Sequence, residues 1–202
     1  MEKNQLFPVF LKIRELNILL VGAGYAGAEK LSALLNNCPD ASITVVADHI
    51  SESVSKLAVQ HWNVRLVQRK FIHSDLSERD LVFLATNDVR LHKKIVNETR
   101  KQKILTNVAD TPDLCDFYLG SIVRKGNLKI GISTNGKSPT MAKRIREFLE
   151  DLIPENIDTL LENLHHFRNS IKGDFQKKVD TLNEFTRSFL EKNNNHDKIH
   201  QN

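Results

Sequence analysis

The chain has 202 residues, with 29 Lys and Arg against 25 Asp and Glu, a formal charge of +4 and 40% hydrophobic residues. That is enough for a real core and one or two domains, and it excludes a disordered or collagen-like polymer. Its apolar runs fall far short of the roughly 20 residues that span a bilayer and no basic-then-apolar leader opens it, so it reads as soluble, cytoplasmic and without a membrane partner.

From Leu6 to about Thr111, short β-rich apolar runs alternate with helical patterns, as in a parallel sheet with crossover helices. The predicted strands are 18–21, 43–46, 64–67, 81–84 and 104–108. Between the first two, Ala28, Leu31, Leu34 and Leu35 recur at helical spacing, and the turn formers from Asn36 to Asp40 stop that helix. Past Pro112 the pattern changes. Residues 121–125 and 128–132 read as a hairpin around Gly126-Asn127. Ser138-Pro139 then opens a helix with an apolar stripe of Met141, Ile145, Phe148 and Leu149, ending near Pro154. From Glu155 to Lys192 the chain reads as wholly helical, with apolar faces that include Leu160, Leu161, Leu164, Phe167, Phe185 and Phe189 for core or subunit packing. Residues 193–202 read as a frayed polar tail.

The expected fold is therefore α/β. A Rossmann-type parallel sheet over 1–112 is followed by a small α+β dimerisation and substrate region over 113–154, a helical segment over 155–192 and a disordered tail. Cys38 and Cys115 show no CxxC or Cys/His spacing, so neither a disulfide framework nor a metal site is expected.

Gly22-Ala23-Gly24-Tyr25-Ala26-Gly27 is a complete GxGxxG between a predicted strand and a predicted helix. In that setting the first glycine permits a tight turn and the second admits a pyrophosphate. The third allows close helix packing, and the helix N-terminus faces the anion. Asp48, near the end of the second strand, suits an acceptor for the adenosine ribose; with no arginine directly after it, NAD is favoured over NADP. A helix-capping or loop aspartate is the other reading of Asp48. Thr86, in Ala85-Thr86-Asn87-Asp88, and Asn107 stand at the carboxyl ends of later strands, where open α/β sheets bind ligands.

Asp110, in Asn107-Val108-Ala109-Asp110-Thr111-Pro112, is the candidate general base, removing a proton while hydride leaves to NAD. Its alternative is a turn cap before Pro112. Between residues 121 and 146 lie Arg124, Lys125, Lys129, Lys137, Lys143, Arg144 and Arg146, and no acid. With no interleaved aromatics to stack bases, this segment does not read as a nucleic-acid surface. A small ligand bearing many carboxylates fits it better. Within it, Ser133, Thr134, Asn135, Lys137 and Ser138 compose a candidate anion-binding turn ahead of a helix.

In this order, the glycine loop, Asp48, Ala85-Thr86-Asn87-Asp88, the segment 107–112 and Ser133 to Pro139 resemble the precorrin-2 dehydrogenase/sirohydrochlorin ferrochelatase family, which includes the amino-terminal module of siroheme synthase. The resemblance covers roughly residues 5–155. It implies NAD-dependent oxidation of precorrin-2 to sirohydrochlorin, in some members followed by Fe2+ insertion. It also implies a homodimer, with Asp110 at the catalytic aspartate and Thr134 at a hydroxyl residue of the tetrapyrrole cleft. The methyltransferase module of fused siroheme synthases is not expected here. Two departures stand out: Gly22-Ala23-Gly24 and Glu29-Lys30 replace the family's common Gly-Gly-Gly and Arg-Lys, and Gly120 stands where proline is common. A nucleotide-sensing regulatory domain would share the glycine loop and Asp48 but needs neither Asp110 nor the acid-free segment. A short-chain reductase is excluded by the missing Tyr-x-x-x-Lys pair, since neither Tyr25 nor Tyr118 has a lysine four residues on.

Overall fold

The structure, a computed structural model, describes residues 4–172 and 174–190, and the chain divides into two compact units, residues 1–119 and 120–202. The first unit alternates strand and helix: β1 (Asn17–Ala23), α1 (Tyr25–Asn37), β2 (Ser42–Ile50), α2 (Glu52–Gln60), β3 (Val64–Gln68), β4 (Leu81–Leu84), α3 (Val89–Gln102) and β5 (Leu105–Val108). All neighbouring strands pair in parallel, in the order β3-β2-β1-β4-β5. After β3 the chain crosses back over β2 and β1, so the direction of winding reverses between β1 and β4. Ligands of such sheets bind at that reversal, beyond the carboxyl ends of the strands.

The near-continuous apolar runs follow from burial on both faces. Ile18 and Leu20 of β1 point into one core with Leu31, Leu34 and Leu35 of α1, Val54 of α2 and Phe83. Leu19 and Val21, one residue out of phase, enter the opposite core with Val82, Leu84, and Ile95 and Val96 of α3. The five expected strands and the βαβ order are present. β2 is longer than the apolar run that announces it and continues to Ile50, with a register shift opposite Val21 to Ala23. Asp48 therefore lies inside the strand.

In the second unit, β6 (Ser121–Lys125) and β7 (Leu128–Ile132) form the expected antiparallel hairpin. Its turn closes at Gly126, whose φ of +53° suits glycine. α4 (Pro139–Leu152) packs on the hairpin through buried Ala142, and Val123 is fully buried. The expected apolar stripe of α4 is largely exposed. Met141, Ile145, Phe148 and Leu152 are 54%, 37%, 64% and 64% exposed, and of the predicted stripe only Leu149 is half-buried. The stretch expected to be wholly helical over 155–192 holds two helices, α5 (Ile157–Ser170) and α6 (Phe175–Leu190). Ile171 turns extended after α5, and the Asp174 carboxylate accepts from the Lys177 amide at the start of α6. Local capping here replaces continued helix. Asp158 of α5 clamps the hairpin turn by accepting from the Asn127 amide at 2.7 Å and its Nδ2 at 2.9 Å. The side chains of Phe185 and Phe189, and the tail 193–202, lie outside the described residues.

Candidate functional site

The glycine loop joins β1 to α1, and its three glycines meet different surroundings. Gly22 has φ +104°, and a Cβ there would collide with the Ala85 carbonyl and press on the Thr86 methyl. Gly27 is closed off by the Gly22 carbonyl oxygen. Both are packing glycines, holding β1, α1 and the end of β4 together. Gly24 differs: nothing lies within 4 Å of where its Cβ would stand. It is also the N-cap of α1 and supplies no side-chain cap, so the first amides of the helix, from Tyr25 to Gly27, have no side-chain acceptor from the cap and carry the helix's partial positive charge beside that space. That cradle fits a pyrophosphate.

Tyr25, 89% exposed, lines an open cleft of about 440 Å³ with Ala28, Glu29, Ser51 and Ser53 beside the loop. Asp48 is exposed on β2, one strand from the loop, and its carboxylate accepts from the His49 amide at 3.0 Å. The capping role belongs to Ser51, whose hydroxyl accepts from Val54 at the head of α2.

On the other side of β1, Thr86 follows β4 with its methyl against Gly22. Its hydroxyl oxygen lies 2.9 Å from His92 Nε2 and accepts from the Asp88 amide at 3.3 Å. Asp88 caps α3 by accepting from Arg90 and Leu91. His92 is 2% exposed and its Nδ1 has no partner. Burial pushes its pKa down, against the pull of the Asp88 charge, so the ring is neutral. Nothing in the sequence singled out His92. Only the start of α3 between Thr86 and His92 brings their side chains together.

Asn107 stands at the end of β5. Its side chain is buried and its Nδ2 donates to the Phe117 carbonyl at 2.8 Å, tying β5 to the following segment. Cys115 serves the same junction, its Sγ donating to the Val108 carbonyl and accepting from the Val108 amide. Burial raises its thiol pKa, which makes it a packing group.

Asp110 lies just past β5, exposed, in the left-handed conformation at φ +55°. It does not cap the turn before Pro112: the N-cap of that 3₁₀ turn is Thr111, without a side-chain bond. Counting strands, β5 is two positions from β1, roughly 10 Å at the usual spacing. Asp48 on one side of the loop and Thr86 and Asp110 on the other thus lie along one edge of the sheet, an arrangement suited to a long dinucleotide.

In the second unit the hydroxyls of the candidate anion turn are engaged in shaping it. Thr134 Oγ1 accepts from the Ser138 amide and donates to the Ser138 carbonyl, Ser133 Oγ accepts from Asn135, and Ser138 Oγ caps α4 by accepting from Met141. Asn135 and Gly136 are both left-handed, at φ +53° and +73°. Four of the basic side chains are paired with acids beyond the segment: Lys125 with Glu155, Lys143 and Arg144 with Glu147, and Arg146 with Glu150. Arg124 and Lys137 are exposed, and neither joins an ion pair among the described residues.

A family model described as NAD(P)-binding matches residues 9–121, and one described as the sirohaem biosynthesis protein central region matches residues 125–152. The chain belongs to this NAD(P)-binding family. It is 38% identical over 171 residues to a siroheme synthase of Pseudoalteromonas atlantica, covering 85% of this chain and 36% of that protein. It is 35% identical over 168 residues to a siroheme synthase of Nitrosomonas europaea, covering 83% and 35%. The chain spans about a third of the length of these curated relatives. Among solved structures it is similar to SirC, a precorrin-2 dehydrogenase, with a TM-score of 0.68 and 25% identity over 89% of both chains. The match to the NAD(P)-binding model takes in the glycine loop.

Proposed function

We propose that the chain is an NAD-dependent dehydrogenase that oxidises precorrin-2 to sirohydrochlorin. The observation that carries this reading is Asp110, an exposed carboxylate held in a left-handed backbone conformation on the same sheet edge as the glycine cradle. Strain of that kind at a non-glycine residue is concentrated at working sites. Asp48 favours NAD, since a carboxylate repels the 2′-phosphate of NADP.

When bound, NAD+ supplies the hydride acceptor. The chain's own residues do the rest. The amides of Tyr25 to Gly27 and the bare Gly24 hold the pyrophosphate, and Asp48 holds the ribose. Asp110 takes the proton that leaves the macrocycle as hydride departs, so that one two-electron oxidation releases one hydride and one proton. Arg124 and Lys137 bind substrate carboxylates, and the turn over Ser133, Thr134, Asn135 and Ser138 fixes where Lys137 stands. Fe2+, as a second substrate, follows from the family likeness.

The exposed stripe of Met141, Ile145, Phe148 and Leu152 on α4 supports a homodimer. An apolar helix face of that extent is costly to leave in water. No described helix is long and apolar enough to cross a membrane. We place the chain in the cytoplasm with the NAD that it uses.

Anaerobic incubation with precorrin-2 and NAD+ tests the reading. Sirohydrochlorin absorbance growing with NADH supports it, and Fe2+ added afterwards tests insertion separately. NAD+ binding with no spectral change overturns the dehydrogenase.

A further inference from the structure

His92 is the one described side chain with a fully buried polar atom and no hydrogen-bond partner for it. It sits in the first turn of α3, 2% exposed, with Nε2 2.9 Å from Thr86 Oγ1 and Nδ1 unmatched. A neutral imidazole carries one N–H and one lone pair. A buried N–H with no acceptor is rarer and costlier than a buried lone pair with no donor. The proton therefore belongs on Nε2, where it donates to Thr86. The Thr86 oxygen then accepts twice, from Nε2–H and from the Asp88 amide at 3.3 Å, and both its lone pairs are in use. Its own proton can only be given away. The methyl of Thr86 is held from the other side, against the space where a Cβ of Gly22 would lie.

We propose that His92 is a positioning residue of the dinucleotide site, fixing Thr86 so that its hydroxyl donates to an oxygen of the bound cofactor. The inference rests on the dinucleotide reading above. Thr86 directly follows β4, beside the glycine loop at the point where the sheet's winding reverses, so the donor meets an oxygen-rich group: a phosphate or a ribose. His92 touches no cofactor and acts only through Thr86.

Two measurements test it. Long-range 1H–15N correlation spectra of the unaltered chain should show the His92 ring neutral with its proton on Nε2; a proton on Nδ1 overturns the proposal whether or not any variant folds. In calorimetric titrations with NAD+, Thr86→Val and His92→Phe should each weaken binding about tenfold, and the double variant about tenfold as well, because the two changes remove one donor. A double variant weakened about a hundredfold, or a folded His92→Phe that binds like the unaltered chain, overturns it. Failure of the unaltered chain to bind NAD+ would count against the dinucleotide reading instead.

Discussion

Replacing each of the loop glycines by alanine should separate folding from binding. At Gly22 the new Cβ meets the Ala85 carbonyl, and φ of +104° is a conformation that alanine resists. Strain of about 1–3 kcal/mol for the dihedral and a further ~1–3 kcal/mol for overpacking give a loss of roughly 2–6 kcal/mol. For a domain of this size that lowers Tm by about 5–20 °C. At Gly24 the Cβ enters open space and φ is −81°, which any residue adopts. The expected cost is about 1 kcal/mol, for alanine as a poorer N-cap than glycine. The methyl does, however, occupy the approach of the pyrophosphate, and NAD+ affinity should fall more than tenfold. Thermal melts by circular dichroism paired with calorimetric NAD+ titration read both effects. A Gly24→Ala chain that melts as early as Gly22→Ala, or one that binds NAD+ normally, would refute the division of roles among the glycines.

Three further outcomes are expected. Asp110→Asn should fold, because asparagine tolerates the left-handed backbone, and should bind NAD+ while turnover drops about 10²–10⁴-fold; normal turnover would remove Asp110 from the chemistry. Asp75 accepts two hydrogen bonds from the Arg69 guanidinium, and this bond above all holds its carboxyl below the usual carboxylate range. Its contribution to stability is full above the unfolded carboxyl value of about 3.9 and is lost as pH falls from there through the lower folded value. The Tm gap between the unaltered chain and Asp75→Asn should therefore narrow as pH falls below about 4, and a constant gap would contradict the pairing. Phe148→Glu should shift the chain from dimer to monomer in light scattering without unfolding it, since Phe148 is 64% exposed in the single chain; a protein already monomeric would dismiss the α4 interface.

The first unit was legible because its physics is local. Strands buried on both faces are apolar along their length, GxGxxG with a strand before it has few other uses, and Asn36 to Asp40 stops a helix wherever it occurs. The break between α5 and α6 was harder to see, because it rests on Asp174 capping α6 against a helical pattern that runs on. The α4 stripe was legible as apolar but its exposure was not, since periodicity reports that a face is apolar and not what covers it.

The sequence by itself determined the βαβ order, the dinucleotide loop and the two acids, Asp48 near the end of β2 and Asp110 just past β5, because each depends on residues adjacent in the chain. Only the tertiary structure decided which side chains remain available for function. It turned the Asn107 amide toward Phe117, engaged Ser133, Thr134 and Ser138 in a turn, and paired four of the seven basic residues with acids outside their segment. It also joined His92 to Thr86 through the start of α3. A hydrogen bond needs its partners within about 3 Å, and spacing along a chain does not set that distance until the chain has folded.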